Sequence, residues 1–411
     1  MLLAGIAPMF VPAGVFGANA PSKSISLGFI GLGSQGHGSN LMNFLALPDA
    51  HVAAVCDVVR GRAEASKTLV TAKRQTRDCK AHLDFRRILE DPSIDAVVIS
   101  TPDHWHVPMS LMALEAGKDV FCEKPTKTIG EGRVLMDAVA RHKAVFQMGM
   151  EDRSVTQYHR MVEWLRNGAI GDLEQVDIQL PAGKIIPKSP EHAVPKDFDY
   201  NLFVGPAAMI PFDPVFLTSV GWRMVRNFGS GSLIDWGSHQ MDTAQLAVNA
   251  PEVCPVEIEG TGEIPGDALT NVPVEFAVTF RYSTGAVVNV KSGGTGMRLT
   301  GSKGWVGNSE WRGQMLASDP KILRTKYAPG TSKHWQMPPN EQRNFLDCVK
   351  SRQPTTYTAG TMHLLHTTLH AANLSIRLGR KLHWDAKKEE FPGDSEANAL
   401  RTINYRDWAK G

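Results

Sequence analysis

Cysteine is scarce in this chain. Five residues in 411, Cys56, Cys79, Cys122, Cys254 and Cys348, make an odd count with no C-x-x-C spacing, which argues against a disulfide framework. Cys56 and Cys122 fall in apolar, strand-like runs, where a thiol behaves as a small buried hydrophobe. An excess of one charge is also missing. Lysine and arginine number 44 against 42 acids, for a net charge of +2, and no basic stripe stands out, so nucleic acid is not an expected partner. Past the N-terminus no stretch approaches the ~18 consecutive apolar residues of a membrane span. Internal repeats and low-complexity tracts are absent as well. What remains is a globular balance, 42% hydrophobic and 21% charged, over a length sufficient for two domains.

The first 20 residues differ in kind. Met1 to Ala20 carries no charged side chain and ends in the small-x-small triplet Ala18-Asn19-Ala20. That reads as the apolar core and cleavage site of an export signal without its basic n-region. Residues 1–22 are therefore expected to be a truncated signal and the protein periplasmic, exported folded if a longer precursor carries a twin-arginine pair. The alternative is a cytoplasmic protein with an apolar N-terminus.

From Ile25 an apolar run leads into Gly31-Leu-Gly33-Ser34-Gln35-Gly36, and a second run, His51 to Cys56, stops at Asp57. Strand, tight turn, helix, strand and acid in that order are the recipe for a dinucleotide site. Gly31 permits the turn, Gly33 lets the backbone approach a pyrophosphate, and Gly36 lets the helix pack close to the strand. The helix N-terminus then offers free N–H groups to the phosphates. Asp57 can accept from ribose hydroxyls and repels a 2′-phosphate, which favours NAD, although Arg60 nearby keeps NADP open. Strand-like runs at 95–100, 119–122 and 144–147 alternate with helical spacing at 107–116 and 129–142. The expected fold is therefore α/β, with a doubly wound parallel sheet over 23–149. Residues 153–167 read as an amphipathic helix. The segments 174–180, 274–280 and 286–290 then alternate with period two, which predicts an α+β domain over 150–385 with a large open, mainly antiparallel sheet. Pro181 to Pro214 reads as an irregular loop over a cleft, and 386–411 as a C-terminal tail.

Three constellations can carry chemistry. Glu123-Lys124-Pro125 closes a parallel strand at the sheet edge where ligands sit, so Glu123 and Lys124 are expected to border the cofactor and Lys124 can polarise or deprotonate a substrate hydroxyl; an exposed loop lysine is the plain alternative. Asp235, His239 and Asp242 stand at i, i+4 and i+7, on one helical side. There His239 serves as a general base that Asp235 orients, or else as a core histidine with an acid neighbour. Thr101, Pro102, His104 and His106 follow the third strand, and are expected to line the nicotinamide end of the cofactor site and not to hold zinc. His363, His366 and His370 share a helical face and read as packing residues, so no metal site is expected.

These motifs resemble the glucose-fructose oxidoreductase / inositol dehydrogenase / rhizopine-catabolism (Gfo/Idh/MocA) family. The resemblance runs over roughly residues 24–385 and also rests on Leu165 to Gly171, Trp222-Arg223, Gly301 to Trp305 and Asn344 to Cys348. It implies that Lys124, Asp235 and His239 are the catalytic set, with Arg153, Trp222 and Arg223 as substrate contacts. It further implies homodimers or homotetramers built on the C-terminal sheet. The implied reaction is hydride exchange between a sugar or polyol carbon and NAD, the cofactor being retained if the protein is exported. Two other readings stay open. One is a redox-assisted glycosidase, against which Lys124 speaks, because relatives of that kind replace this lysine. The other is a sugar or nucleotide sensor without catalysis.

Overall fold

Period-two and period-3.6 patterning translate into two sheets in the computed structural model, which describes residues 24–408 apart from 76, 249–253, 328–332, 334–337 and 339. The segment 1–22, read as an export signal, lies outside the described residues.

The first sheet is built from β1 (Ile25–Ile30), β2 (Ala50–Cys56), β3 (Lys80–His82), β4 (Ala96–Ile99), β5 (Asp119–Glu123) and β6 (Phe146–Gly149). All pairings are parallel, in the order β3-β2-β1-β4-β5-β6. β4 and β5 are buried at every residue, as expected of strands with helices on both faces. The connecting helices are α1 (Met42–Leu45, continuing π-helical turns over Gly36–Leu41), α2 (Arg60–Arg74), α3 (Arg86–Leu89), α4 (Asp103–Glu115) and α5 (Ile129–His142). A Thr128–Glu131 capping box starts α5, satisfying two orphan N–H groups. α4 begins four residues before the expected position. Pro102 sets an extended entry, Asp103 opens the first turn, and Pro108 lies inside the helix. A proline normally marks a first turn, which is why the sequence pattern points to 107.

The expected helix over 153–167 is two elements. A 3₁₀ turn at Glu151–Ser154 precedes α6 (Thr156–Arg166), with Val155 extended between them. The second sheet follows: β7 (Leu173–Leu180), then after α7 (Tyr200–Val204) and α8 (Ser232–Val248) the strands β8 (Glu257–Glu263), β9 (Glu275–Arg281), β10 (Val287–Ser292), β11 (Met297–Gly301), β12 (Gly304–Asn308) and β13 (Met315–Ala317). After α9 (Pro320–Arg324), α10 (Glu341–Ser351) and α11 (Ala359–Leu378), β14 (Leu382–His383) completes it, and α12 (Ser395–Ala399) follows. The order is β13-β12-β11-β7-β10-β9-β8-β14, antiparallel except for the β7–β10 pair. Burial alternates along β9, because α8 and α11 cover one face only.

Two late segments return toward the first half of the chain, α10 to its sheet and residues 405–408 to α4 and α5. Phe345 of α10 packs edge-on against Phe44 and Phe121, with centroids 6.3 and 5.7 Å apart. Asp49 bridges Arg343 at 2.7 Å and also pairs with Lys350. Near the C-terminus Trp408 packs against Trp105 at 4.9 Å, Arg406 Nε donates to Gly205 O at 2.9 Å, and the Tyr405 hydroxyl donates to Glu131.

Candidate active site

The order of the first sheet reverses between β1 and β4, and ligands bind at such a switch point. A cavity of about 820 Å3 opens there, lined by both halves of the chain. Gly31 has φ +87°, and a Cβ on it would lie 2.6 Å from Ser100 O. A Cβ on Gly36 would lie 1.9 Å from Gly31 O, whereas one on Gly33 would meet nothing within 4 Å. Gly31 and Gly36 are thus fixed by the protein's own close packing, and Gly36 does not line the cavity. Gly33, Ser34 and Gln35 do. Asp57 accepts from Leu32 N at 2.7 Å and Val59 N at 2.8 Å, so it ties the glycine turn to β2 and keeps lone pairs for a ribose. Burial pushes its pKa up, against the pull of those two N–H groups and Arg62. Thr101 Oγ1 is buried without a protein partner and lines the same cavity, together with Pro102. An open cradle at Gly33, an acid at the end of β2 and an orphaned hydroxyl fit NAD.

Lys124 leaves the end of β5, and its Nζ donates to the Asp235 main-chain oxygen at 2.8 Å and to the Asp235 carboxylate. Arg223 Nε donates to the other carboxylate oxygen at 3.1 Å, with its guanidinium 4.2 Å from the Trp222 ring centroid. Burial alone would raise the Asp235 pKa, but Lys124 and Arg223 hold it well below the usual carboxylate range. Glu123 accepts from Asn40 at 2.8 Å and Gln35 at 3.1 Å; burial and then Glu151 push its carboxyl up.

Asp235 is thereby committed to the two cations and does not orient His239. The carboxylate facing that ring is Asp152, on the 3₁₀ turn after β6. His239 Nδ1 lies 3.5 Å from Asp152 Oδ2, within ion-pair reach though outside hydrogen-bond geometry. Trp311 Nε1 donates to the same oxygen at 3.0 Å, and Arg312 Nη2 to the other at 2.8 Å. Burial, and then Lys124, work against a charged His239, yet Asp152 and Glu151 prevail and raise its pKa. Asp152 is brought down to about 2, since His239, Trp311 and Arg312 outweigh its burial.

Other expected residues divide. Trp222 and Arg223 line the cavity, but Arg153 does not. Its guanidinium is 2.7 Å from Asp242 and from Thr356 O, stacked 3.7 Å over Tyr357, so two acceptors and a ring consume it. His104 also points away, with Nε2 2.9 Å from Phe203 O in the aromatic cluster beneath the cavity. His106 remains at the wall, 2.8 Å from both Thr101 O and Pro125 O. Sequence reasoning missed Asp152, Trp236 and Trp311. The rule that selects Lys124, position after a parallel strand, also selects Asp152; no local signal marks Trp311, which reaches the site from the loop between β12 and β13.

Residues 25–150 match the family model described as oxidoreductase family, NAD-binding Rossmann fold (GFO_IDH_MocA), and 182–410 match that of its C-terminal alpha/beta domain. A levoglucosan dehydrogenase of Pseudarthrobacter phenanthrenivorans is 28% identical over 294 residues, 66% of this chain and 67% of that protein. A glycosyl hydrolase family 109 protein of a Shewanella species is 32% identical over 167 residues, 39% of this chain and 36% of its own length. Matches to the first curated relatives span 46% and 36% of their lengths. Among solved structures, an NAD-binding protein from Listeria innocua has a TM-score of 0.65 at 19% identity, over 88% of this chain and 97% of that one. Levoglucosan dehydrogenase in complex with NADH and levoglucosan scores 0.64 at 19% identity, over 88% and 99%. Identities this low show a shared fold.

Proposed function

Because the chain belongs to the Gfo/Idh/MocA oxidoreductase family, we propose that it moves a hydride between a carbinol carbon of a sugar, glycoside or polyol and NAD. The observation that carries this reading is one cavity holding His239, backed by Asp152, beside the Lys124–Asp235–Arg223 cluster and the glycine cradle. When bound, NAD supplies the hydride acceptor at its nicotinamide. The residues that would hold it are Gly31, Gly33, Ser34, Gln35, Asp57, Thr101 and Pro102. His239 turns Nδ1 toward Asp152, and no protein group takes Nε2 among the described residues. That nitrogen accepts the hydroxyl proton as general base. The Lys124 ammonium stabilises the negative oxygen left behind. Asp235 aims Lys124, and Trp222, Trp236 and Trp311 offer apolar faces to a pyranose ring.

Retention of the cofactor is part of the proposal. The segment near 197–217 closes on the nucleotide half beside Asp57: Arg60 N donates to Asp197 O at 3.0 Å, Asp199 N to Val58 O at 3.0 Å, and Arg62 Nη2 to Leu217 O at 2.7 Å. A held cofactor cycles between two sugars and suits the periplasmic site read from residues 1–22.

The test is to denature the purified protein, filter it and identify the released nucleotide by mass and absorbance. The holoprotein is then mixed with levoglucosan, myo-inositol and D-glucose while absorbance at 340 nm is followed. Near-stoichiometric NAD that a sugar reduces is the expected result. An empty protein that binds no added NAD ends the reading. The relatives in glycosyl hydrolase family 109 favour one alternative, redox-assisted glycoside cleavage. Release of p-nitrophenol from nitrophenyl glycosides without net NADH would select it.

A further inference from the structure

Lys124 opens the loop 124–128 between β5 and α5. In the two residues after the lysine, Pro125 and Thr126, each main-chain polar group meets an imidazole, whereas the Lys127 and Thr128 amides donate to Glu131. Pro125 O faces His106 Nδ1 at 2.8 Å, Thr126 N donates to His366 Nδ1 at 3.2 Å, and Thr126 O faces His370 Nε2 at 3.0 Å. Thr126 and all three histidines are buried.

His366 alone has a second partner in the catalytic helix. Its Nε2 lies 3.1 Å from Ser238 Oγ, and that hydroxyl donates to Ile234 O at 2.7 Å. The proton directions are forced. An amide can only donate, so Nδ1 accepts and carries no proton; a neutral ring then has its proton on Nε2. That proton goes to Ser238, whose own proton goes to Ile234. Ile234 precedes Asp235 and Ser238 precedes His239. A chain of three hydrogen bonds therefore ties the Lys124 loop to the turn of α8 that carries the acid and the base. Burial, with His370 and Lys124 nearby, keeps His366 well below the ordinary imidazole pKa, in keeping with the neutral tautomer.

We propose that His366 is a positioning residue that fixes the Lys124 loop against the Asp235–His239 turn through Thr126 and Ser238. The proposal rests on the reading of Lys124 as a residue of the hydride-transfer site. Two variants separate its ends. His366→Gln places an amide near the Nε2 position, in reach of Ser238, and leaves Thr126 N without its acceptor. His366→Asn places an acceptor near the Nδ1 position and gives up Ser238.

Hydrogen exchange of the holoprotein, read by mass spectrometry, should show the Thr126 amide slow in wild type and His366→Asn and fast in His366→Gln. Single-turnover reduction of bound NAD is then measured with whichever of levoglucosan, myo-inositol or D-glucose reacts fastest. His366→Gln should slow it on the order of 10- to 100-fold, the scale of a misplacement near 1 Å, with His366→Asn intermediate. In a Lys124→Ala background the same change should cost less than about twofold, because the residue through which His366 acts is gone. Unchanged exchange at Thr126 in His366→Gln, or an equal loss of rate with and without Lys124, overturns the proposal. If no sugar reduces the cofactor in wild type, the dehydrogenase reading fails instead, and exchange at Thr126 still tests the lock.

Discussion

Replacing Asp152 with asparagine keeps the shape of its side chain and removes the charge that faces His239. At 3.5 Å and an effective dielectric of about 20, a carboxylate and an imidazolium attract by about 5 kcal/mol. Arg312, 2.8 Å from the other oxygen, cancels much of this. The net effect keeps the sign of a single nearby carboxylate, so its removal should lower the ring pKa. The sign follows from the chemistry. A base works as the neutral ring; Asp152 favours the protonated ring and raises the His239 pKa. Wild type should therefore lose kcat/KM on acidification through a pKa above the ordinary imidazole value. Asp152→Asn should move that limb to lower pH and depress the plateau about tenfold or more, since the ring is a weaker base and less well oriented. The assay is the pH profile of cofactor reduction between about pH 5 and 9, with thermal melting as the control for folding. An acid limb that stays in place in Asp152→Asn but moves in Asp235→Asn would refute the assignment of Asp152 as the partner of His239.

Gly33→Ala should fold with a melting temperature close to wild type yet lose bound NAD, because its Cβ meets no protein atom within 4 Å. Gly36→Ala should instead lower the melting temperature by several degrees, its Cβ falling 1.9 Å from Gly31 O; released nucleotide and calorimetry separate the two. Arg343→Ala should cost about 1–3 kcal/mol in urea unfolding at pH 7, where its pair with Asp49 is charged. Arg343 and Lys350 outweigh burial and depress the Asp49 pKa, so this contribution is present above the unfolded carboxylate pKa and is lost as pH falls. The gap between wild type and variant should narrow from about pH 4 toward pH 2.

Local patterns made the first sheet legible, and each depends on neighbouring residues alone. Apolar runs ending in Gly31 or Asp57 need no long-range partner to be recognised, and α5 runs over the residues its spacing predicts. What escaped the sequence is what the chain assembles from afar. His239 stands one helical turn from Asp235, so proximity along the helix suggested that pair; the cations Lys124 and Arg223, from other elements, claim the aspartate first. Arg153 is drawn inward by Asp242 and Tyr357, which lie 89 and more than 200 residues away. The break at Val155 was hidden because the helical spacing continues through it, and with it the turn that delivers Asp152.

The return of α10 to the first sheet sets the order in which a nascent chain can finish folding. The face bearing Phe44 and Phe121 needs Phe345 to cover it, and close to two hundred residues separate β6 from that phenylalanine. At 5–20 residues per second, a ribosome takes about 10–40 s to supply it. For that interval the nucleotide half exists with an aromatic patch open to solvent, a natural client for a chaperone. Protein synthesised only to residue 149 should aggregate where the full-length chain does not, even though its six strands are all present.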